Sequence, residues 1–216
     1  ACAPRGEFRF DARILSPQQV VQPVFVATNR QRTLGADSGF FRQKFGDKRD
    51  SELRFARVDI SIPPVHKTGK IEWPAGAMPD PNVHFVANRE QLFATPATFM
   101  QNVSSQKDGP ETLVFVHGYN MNNAETVYLL AQIARDYETK VPVVAFSWPS
   151  AGSPHGYAYD RDSVIFARDG LEELLVLLTR KGGKVSIVAH SMGSQLVMET
   201  LRQMSISGRQ EVLKQL

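Results

Sequence analysis

The sequence has one cysteine, no long apolar run and little net charge, and each scarcity excludes a class of protein. A single cysteine among 216 residues, Cys2, rules out an internal disulfide and a cysteine-based metal cluster. No apolar stretch approaches the roughly 20 residues that span a bilayer, and no repeat period is present. The net charge of +3 comes from scattered Lys and Arg, which gives no indication of nucleic-acid binding. Length and composition fit one water-soluble globular domain.

A short strand that runs directly into a helix is the most informative stretch that the chain does contain. Residues 185–189 are mostly β-branched and apolar, and from Gly193 apolar residues recur at helical spacing. Between them, Ala189-His190-Ser191-Met192-Gly193 matches the nucleophile elbow G-x-S-x-G, with Ala in the first position. Such an elbow needs small residues two before and two after its serine, because strand and helix nearly touch there. The pattern predicts that Ser191 is a catalytic nucleophile and that the Met192 amide faces a developing oxyanion. A plain βα turn with an N-capping serine is the alternative.

From residue 111 onward the pattern alternates between strand and helix, which indicates a mostly parallel sheet with helices on both faces. Strands are predicted at 112–116 and 141–146. Asn122 is predicted to cap one helix with Glu125, and Asp162 to cap the next. The loop 151–159 would then lie at the carboxyl edge of the sheet, where open α/β folds bind ligands.

The first part of the chain favours antiparallel strands. Residues 1–22 are polar and interrupted by proline, so we expect an N-terminal tether or a loosely packed arm, followed by one domain from 23 to 216. Further predictions are strands at 24–27 and 53–62, a surface loop at 31–49 pinned by Phe40, Phe41 and Phe45, edge strands at 71–73 and 83–86, and a helix at 91–103 interrupted at Pro96.

Several motifs taken together resemble the α/β-hydrolase superfamily, and more narrowly a bacterial group of α/β hydrolases of unknown function. They are the elbow, His117-Gly118-Tyr119-Asn120, the Ser-Trp-Pro-Ser of 147–150, the Tyr-Ala-Tyr-Asp-Arg-Asp of 157–162, and the Ala-Thr-Asn-Arg of 27–30. The resemblance covers residue 24 to about 216. It implies that Ser191 is the nucleophile, and that His117-Gly118-Tyr119 is an oxyanion loop whose Tyr119 amide partners that of Met192. It implies no particular substrate.

The remaining candidate residues have both a substrate-binding and a structural interpretation. His117, Trp148, His155 and His190 are predicted to contact substrate, although His117 is also suited to ordering the oxyanion loop and Trp148 to packing in the core. Asp160 and Asp162 are interpreted as helix-capping or ion-pairing residues. No histidine has a second ligand at metal-binding spacing, so neither a metal nor another cofactor is predicted.

The sequence lacks a triad partner after the predicted nucleophile. In α/β hydrolases the acid and the histidine follow the serine, but no Asp or His follows Ser191. Without a base, serine is a poor nucleophile. Three explanations remain open. The chain is a fragment whose acid and base lie beyond Leu216, the base comes from upstream (His155, or less favourably His66 or His84), or the domain binds without cleaving.

The first residues of the sequence favour a cellular location for the protein. Ala1-Cys2-Ala3-Pro4 resembles a bacterial lipoprotein junction, where the cysteine carries the lipid, although an incidental terminal cysteine is the alternative. We therefore predict a serine hydrolase that cleaves an ester or another acyl compound, tethered by Cys2 to a membrane of the bacterial cell envelope. Its partner would be a small acyl substrate rather than nucleic acid. A catalytically silent, lipid-tethered binding domain is the competing hypothesis.

Overall fold

A computed structural model describes residues 6–11, 19–33, 45–74, 79–106 and 109–216. Six strands form one mixed sheet in the order β3-β2-β1-β5-β4-β6. In chain order the elements are β1 (Val20–Arg32), β2 (Phe45–Ile62), β3 (Val86–Phe93), α1 (Pro96–Ser104), β4 (Glu111–Val116), α2 (Asn123–Asp136), β5 (Val143–Ser147), α3 (Tyr157–Thr179), a 3₁₀ turn (Arg180–Gly182), β6 (Lys184–Ala189), α4 (Met192–Ile206) and α5 (Gln210–Leu213). This confirms the predicted α/β-hydrolase-like class, with antiparallel strands first and parallel strands after them.

The sheet has a hydrophobic cluster on each face, because the inward residues of its central strands alternate between the two sides. Residues of α1, α3 and α4 contribute to one cluster, with Phe99, Leu171 and Leu196 fully buried. Helix α2 covers the other face through Val127, Tyr128 and neighbouring residues. The parallel strands β1, β4, β5 and β6 run in one direction, so their carboxyl ends meet at one edge. That edge carries the candidate site.

The first two strands are longer than the sequence predicted. β1 covers 13 residues and β2 covers 18, and they pair as far as Arg30 with Arg49 and Arg32 with Phe45. The prediction of a surface loop over 31–49 is therefore wrong at both ends, because antiparallel pairing extends the strands through charged residues that carry no local strand signal. Phe45 is buried at the start of β2, whereas Phe40 and Phe41 lie outside the described residues.

Two other expectations before β4 also need correction. Residues 71–73 form no strand, and β3 begins only at Val86 and continues to Phe93, so the helix predicted from residue 91 was placed too early. Pro96 does not interrupt that helix but begins it, at the first position, where its missing N–H costs nothing. Thr95 caps α1 with Thr98 in a capping box.

The described part of the predicted tether lies against α2. Asn122 Nδ2 donates to Gly6 O at 2.8 Å, and the Phe8 and Tyr128 ring centroids are 5.6 Å apart. Asn122 also caps α2 with Glu125 in a capping box, which confirms that prediction. At least residues 6–11 are therefore packed on the domain instead of extending from it.

At the opposite edge from the strand carboxyl ends, a histidine lies between two carboxylates. His66 Nδ1 is 2.9 Å from Glu72 Oε2, and its Nε2 is 2.9 Å from Asp136 Oδ1 at the end of α2. Burial by itself lowers the pKa of His66, but its hydrogen bonds and charge interactions with the two carboxylates outweigh burial and raise the pKa above its ordinary 6.5. The contacts fasten the segment after β2 to α2. No helix in the described residues is both long and apolar enough for a transmembrane span.

Candidate active site

Ser191 occupies a strained corner between β6 and α4. Its φ of 53° and ψ of −123° lie in a region that residues with a side chain rarely adopt, and α4 begins at the next residue. The serine is exposed, whereas Met192 and Gly193 immediately after it are buried. The sequence pattern predicted a tight turn at this position, and the backbone has the conformation that such a turn requires.

Two glycines allow the predicted oxyanion loop, residues 117–121, and the Ser191 corner to approach each other closely. A Cβ placed on Gly193 would lie 2.5 Å from Val116 O and nearer still to His117 O. A Cβ on Gly118 would lie 2.7 Å from His190 Nδ1 and 3.1 Å from Ser191 Cβ. The distances at Gly193 are too short for a real side chain and involve backbone oxygens, whereas a side chain at Gly118 would have to displace the exposed His190 ring and would press on Ser191. The residue type at these positions therefore sets the distance between the 117–121 segment and Ser191.

The two predicted oxyanion donors have no other acceptor among the described residues. The Met192 amide is the first of α4, so the helix supplies no partner for it, and no hydrogen bond of the Tyr119 amide occurs in the described part of the chain. The positive end of the α4 dipole points to the same corner. The Tyr119 side chain is bound to the loop after β5, because its hydroxyl donates to Pro154 O at 2.6 Å.

His117 and Trp148, both predicted to contact substrate, are fully buried, so that prediction needs correction. Their rings stack at 4.7 Å with an interplanar angle of 6°, and Trp148 Nε1 donates to His117 O at 2.7 Å. His117 Nδ1 is 2.8 Å from Gly118 O, and Nε2 is 3.0 Å from Trp148 O. Burial and the nearby Arg30 lower the pKa of His117 to about 3, so the ring is neutral. The pair joins the ends of β4 and β5.

Arg30, near the end of β1, is a fully buried charged side chain at this edge. Its Nη1 donates to Ser150 O at 3.0 Å and to Gly46 O at 2.9 Å, and its Nη2 donates to Met121 O at 2.8 Å. Its Nε donates to Ser147 Oγ at 3.0 Å. Burial lowers the pKa of Arg30 to about 10, so the guanidinium keeps its charge at neutral pH.

Asp160 is a fully buried carboxylate on the first turn of α3. Its Oδ2 accepts from Ser150 Oγ at 2.6 Å and from the Asn120 amide at 3.1 Å, and its Oδ1 accepts from the Ala151 amide at 2.6 Å. Helix α3 begins at Tyr157 after Gly156, so the prediction that Asp162 begins it is wrong. Because α3 begins five residues before Asp162, Asp160 belongs to the helix, where its side chain is buried.

The remaining histidines fall at two different edges of the sheet. His155 and His190 are exposed at or beside the carboxyl edge, His190 next to Ser191 and His155 in the loop held by Tyr119. His66 follows Ile62, which pairs with the start of β1, and His84 precedes β3 at that same end. Strands of about six residues at roughly 3.3 Å each separate the edges by about 20 Å. His66 and His84 are therefore too far away to act as a base on Ser191.

Within the described ranges, Ser191 Oγ makes no hydrogen bond to a histidine, a carboxylate or any other group. The same ranges hold no group of three or more His, Cys, Asp or Glu side chains arranged for a metal ion. What the described part of this edge offers is an exposed serine hydroxyl beside two amides, with no base hydrogen-bonded to that hydroxyl.

Sequence reasoning missed the roles of Arg30 and Asp160. Arg30 was noticed only as part of a motif, and Asp160 was interpreted as a capping or ion-pairing residue. The available signal is their position, since Arg30 follows a predicted strand and Asp160 precedes a predicted helix, both on the carboxyl edge. The cross-chain hydrogen bonds could not be read from local patterns.

The strained serine corner, the glycine-spaced loop beside it and the mixed sheet define an α/β-hydrolase-like protein. A family model described as alpha/beta hydrolase of unknown function (DUF900) matches residues 92–216, more than half of the chain. The chain therefore belongs to this family of α/β hydrolases. Comparisons with curated proteins and with solved structures found no match.

Proposed function

We propose that the protein is a serine hydrolase that cleaves an ester or a related acyl compound through an acyl-enzyme at Ser191. The observation that carries this proposal is the backbone of Ser191, a non-glycine residue held at positive φ between a strand and a helix. Such strain costs of order 1–3 kcal/mol and persists where surrounding structure imposes it, often at functional sites. The strain here presents an exposed hydroxyl beside two amides that lack acceptors in the described chain.

In the proposed reaction, Ser191 Oγ attacks the acyl carbon and its proton passes to a base. The Met192 and Tyr119 amides stabilise the negative oxygen of the tetrahedral intermediate. The alcohol then leaves with that proton, and water releases the acid from the serine. One such donor is typically worth about 3 kcal/mol in the transition state.

Two sources of the base are compatible with the described residues. One is a histidine supplied from outside these 216 residues, as the order Ser, acid, His of this superfamily would require. The other is His155, which is exposed in the loop held by Tyr119. Replacing His155 with Gln in the native protein separates them, because only the second source predicts loss of activity.

A fluorophosphonate probe tests the nucleophile directly. We expect covalent labelling of the native protein that disappears in Ser191→Ala and remains in Ser194→Ala. Ser194 is a matched control because it is also exposed and lies one turn away on α4. Labelling that persists in Ser191→Ala, or none in the folded native protein, contradicts the proposal.

A catalytically silent binding domain is the second candidate, favoured by the lack of any hydrogen-bond partner for Ser191 Oγ in the described part of the chain. The same corner would then hold an acyl ligand without cleaving it. Binding of a short-chain ester without turnover, measured by calorimetry and by release of its acid, supports this candidate. Detection of the free acid excludes it.

We extend the proposal to a lipid anchor on Cys2, which would place the domain at a membrane of the bacterial cell envelope. Its support is the Ala-Cys-Ala-Pro sequence, since Cys2 lies outside the described residues. Mass spectrometry of the native N-terminus should find an acylated cysteine, and Cys2→Ser should release the protein from the membrane fraction. An unmodified Cys2 contradicts this part alone.

A further inference from the structure

The segment 117–121 must hold the Tyr119 amide in place although it has no regular secondary structure. It follows the last residue of β4 and contains Asn120 at a φ of 59°. A catalytic amide is useful only if it is fixed at the position of the developing charge, because a loose donor must first be reoriented.

Asp160 fixes one side of the segment. Its Oδ2 accepts the amide hydrogen of Asn120, which is the residue directly after Tyr119. Its other oxygen accepts from the Ala151 amide in the loop after β5. One buried carboxylate therefore connects the oxyanion loop to the neighbouring loop of the same edge.

Arg30 fixes the other side. Its Nη2 donates to Met121 O at 2.8 Å, and the same nitrogen lies 3.5 Å from His117 Nε2. The contacts fall on the first and the last residue of the segment, with Tyr119 midway between them. A lysine could not make these contacts together with those to Ser147 and Gly46, since it lacks the planar fork of donors.

Ser150 connects the two charged groups. Its hydroxyl donates to Asp160, while its carbonyl accepts from Arg30. Asp160 is also the largest of the charges that raise the pKa of Arg30 against the lowering by burial. Each buried charge is thus compensated by the other through one residue, as buried ions require.

We infer that Arg30 and Asp160 are positioning residues for the proposed hydrolase, which together hold the Tyr119 amide as an oxyanion donor. The inference rests on the proposed function. Neither residue contacts substrate, because both are fully buried. Two buried charges with a purely structural role would contribute to stability without changing the reaction rate of the folded protein.

The test combines amide exchange with labelling kinetics in the native protein carrying Asp160→Asn. An Asn side chain offers one oxygen where Asp160 offers two, so one of the amides of Asn120 and Ala151 loses its acceptor. We expect that amide to exchange at least about 10-fold faster by NMR. The fluorophosphonate labelling rate of the folded protein should fall by up to about 10³-fold, the loss typical of one oxyanion donor, with the probe's dissociation constant little changed.

Asp162→Asn is the matched control, because Asp162 lies on the same helix and is exposed, and its ion pair within the described residues is a 3.7 Å contact with Arg161. It should change neither measurement. Arg30→Lys is the second variant, and it keeps the buried charge while removing the fork. It should slow labelling as Asp160→Asn does, which guards against a misfolded first variant.

Each outcome decides between the possibilities. Faster exchange together with slower labelling supports the positioning role. Unchanged exchange in both folded variants, or faster exchange with an unchanged labelling rate, overturns it. If the unmodified native protein is not labelled, the proposed function fails and the catalytic part of this inference fails with it, whereas the exchange data still report whether the two charges hold the segment.

Discussion

Replacing Gly193 with Ala tests the close approach that brings the 117–121 segment to Ser191. Gly193 is buried in the first turn of α4, and the added methyl group would overlap the carbonyl oxygens of Val116 and His117. Both oxygens belong to backbone and cannot rotate away as a flexible side chain would. Either α4 or the end of β4 must therefore move.

The size of the effect follows from two opposing contributions. Alanine is favoured over glycine within a helix by about 1 kcal/mol. Overpacking typically costs about 1–3 kcal/mol, and the rigid neighbours here favour the upper end of that range. We expect the free energy of unfolding to fall by about 2 kcal/mol. For a chain of this size that corresponds to a melting temperature lower by about 4–8 °C.

Thermal and urea unfolding of the wild type and of Gly193→Ala measure this loss of stability. Gly109→Ala is the control. A Cβ on Gly109 meets nothing within 4 Å, so that variant should be neutral or slightly more stable. Labelling of Ser191 should also slow in Gly193→Ala, since the donors are displaced. If Gly193→Ala is as stable as Gly109→Ala, the strand and helix are not in contact and the reasoning about the corner is refuted.

Further predictions concern stability at other parts of the fold. Because the pKa of His66 is raised in the folded state, the stability that it contributes is complete below its unfolded pKa of about 6.5 and is lost as pH rises through the higher folded value. His66→Gln should flatten this part of a urea-unfolding profile against pH, whereas the exposed His155→Gln should leave it unchanged. Asn122→Ala should lower the free energy of unfolding by about 1 kcal/mol through loss of the α2 cap, and an unchanged urea midpoint would contradict the capping role. Trp148→Phe should cost about 1–3 kcal/mol, because His117 O loses its donor, and a melting temperature equal to wild type would contradict that hydrogen bond.

The alternating half of the fold could be predicted from sequence because its strands are short, apolar and bounded by loop residues. The predicted β4, β5 and β6 agree with the structure to within a few residues, as does the start of α4. The antiparallel half was predicted less well. β2 runs through Gly46, Asp47 and Lys48, whose residue types disfavour strands, and its pairing with β1 on either side of them, at Phe45 and Arg49, cannot be read from local sequence.

Ser191 and its two glycines could be identified from sequence because their constraints are local. The glycine positions must be small, and the serine must stand between a strand and a helix. The roles of Arg30 and Asp160 could not be identified in that way, since they depend on which distant backbone groups the fold brings within 3.1 Å. The burial of Trp148 is likewise a consequence of how two strand ends pack.

Arg30 also has a consequence for where this protein can be divided. The family match begins at residue 92, yet β1 lies in the middle of the sheet between β2 and β5, and its arginine satisfies carbonyl groups at 121 and 150. A recombinant piece starting at residue 92 would leave the flank of β5 bare and those carbonyls unsatisfied in the interior. The matched portion, residues 92–216, is thus not a module that can be excised or fused on its own, because it needs β1 beside β5.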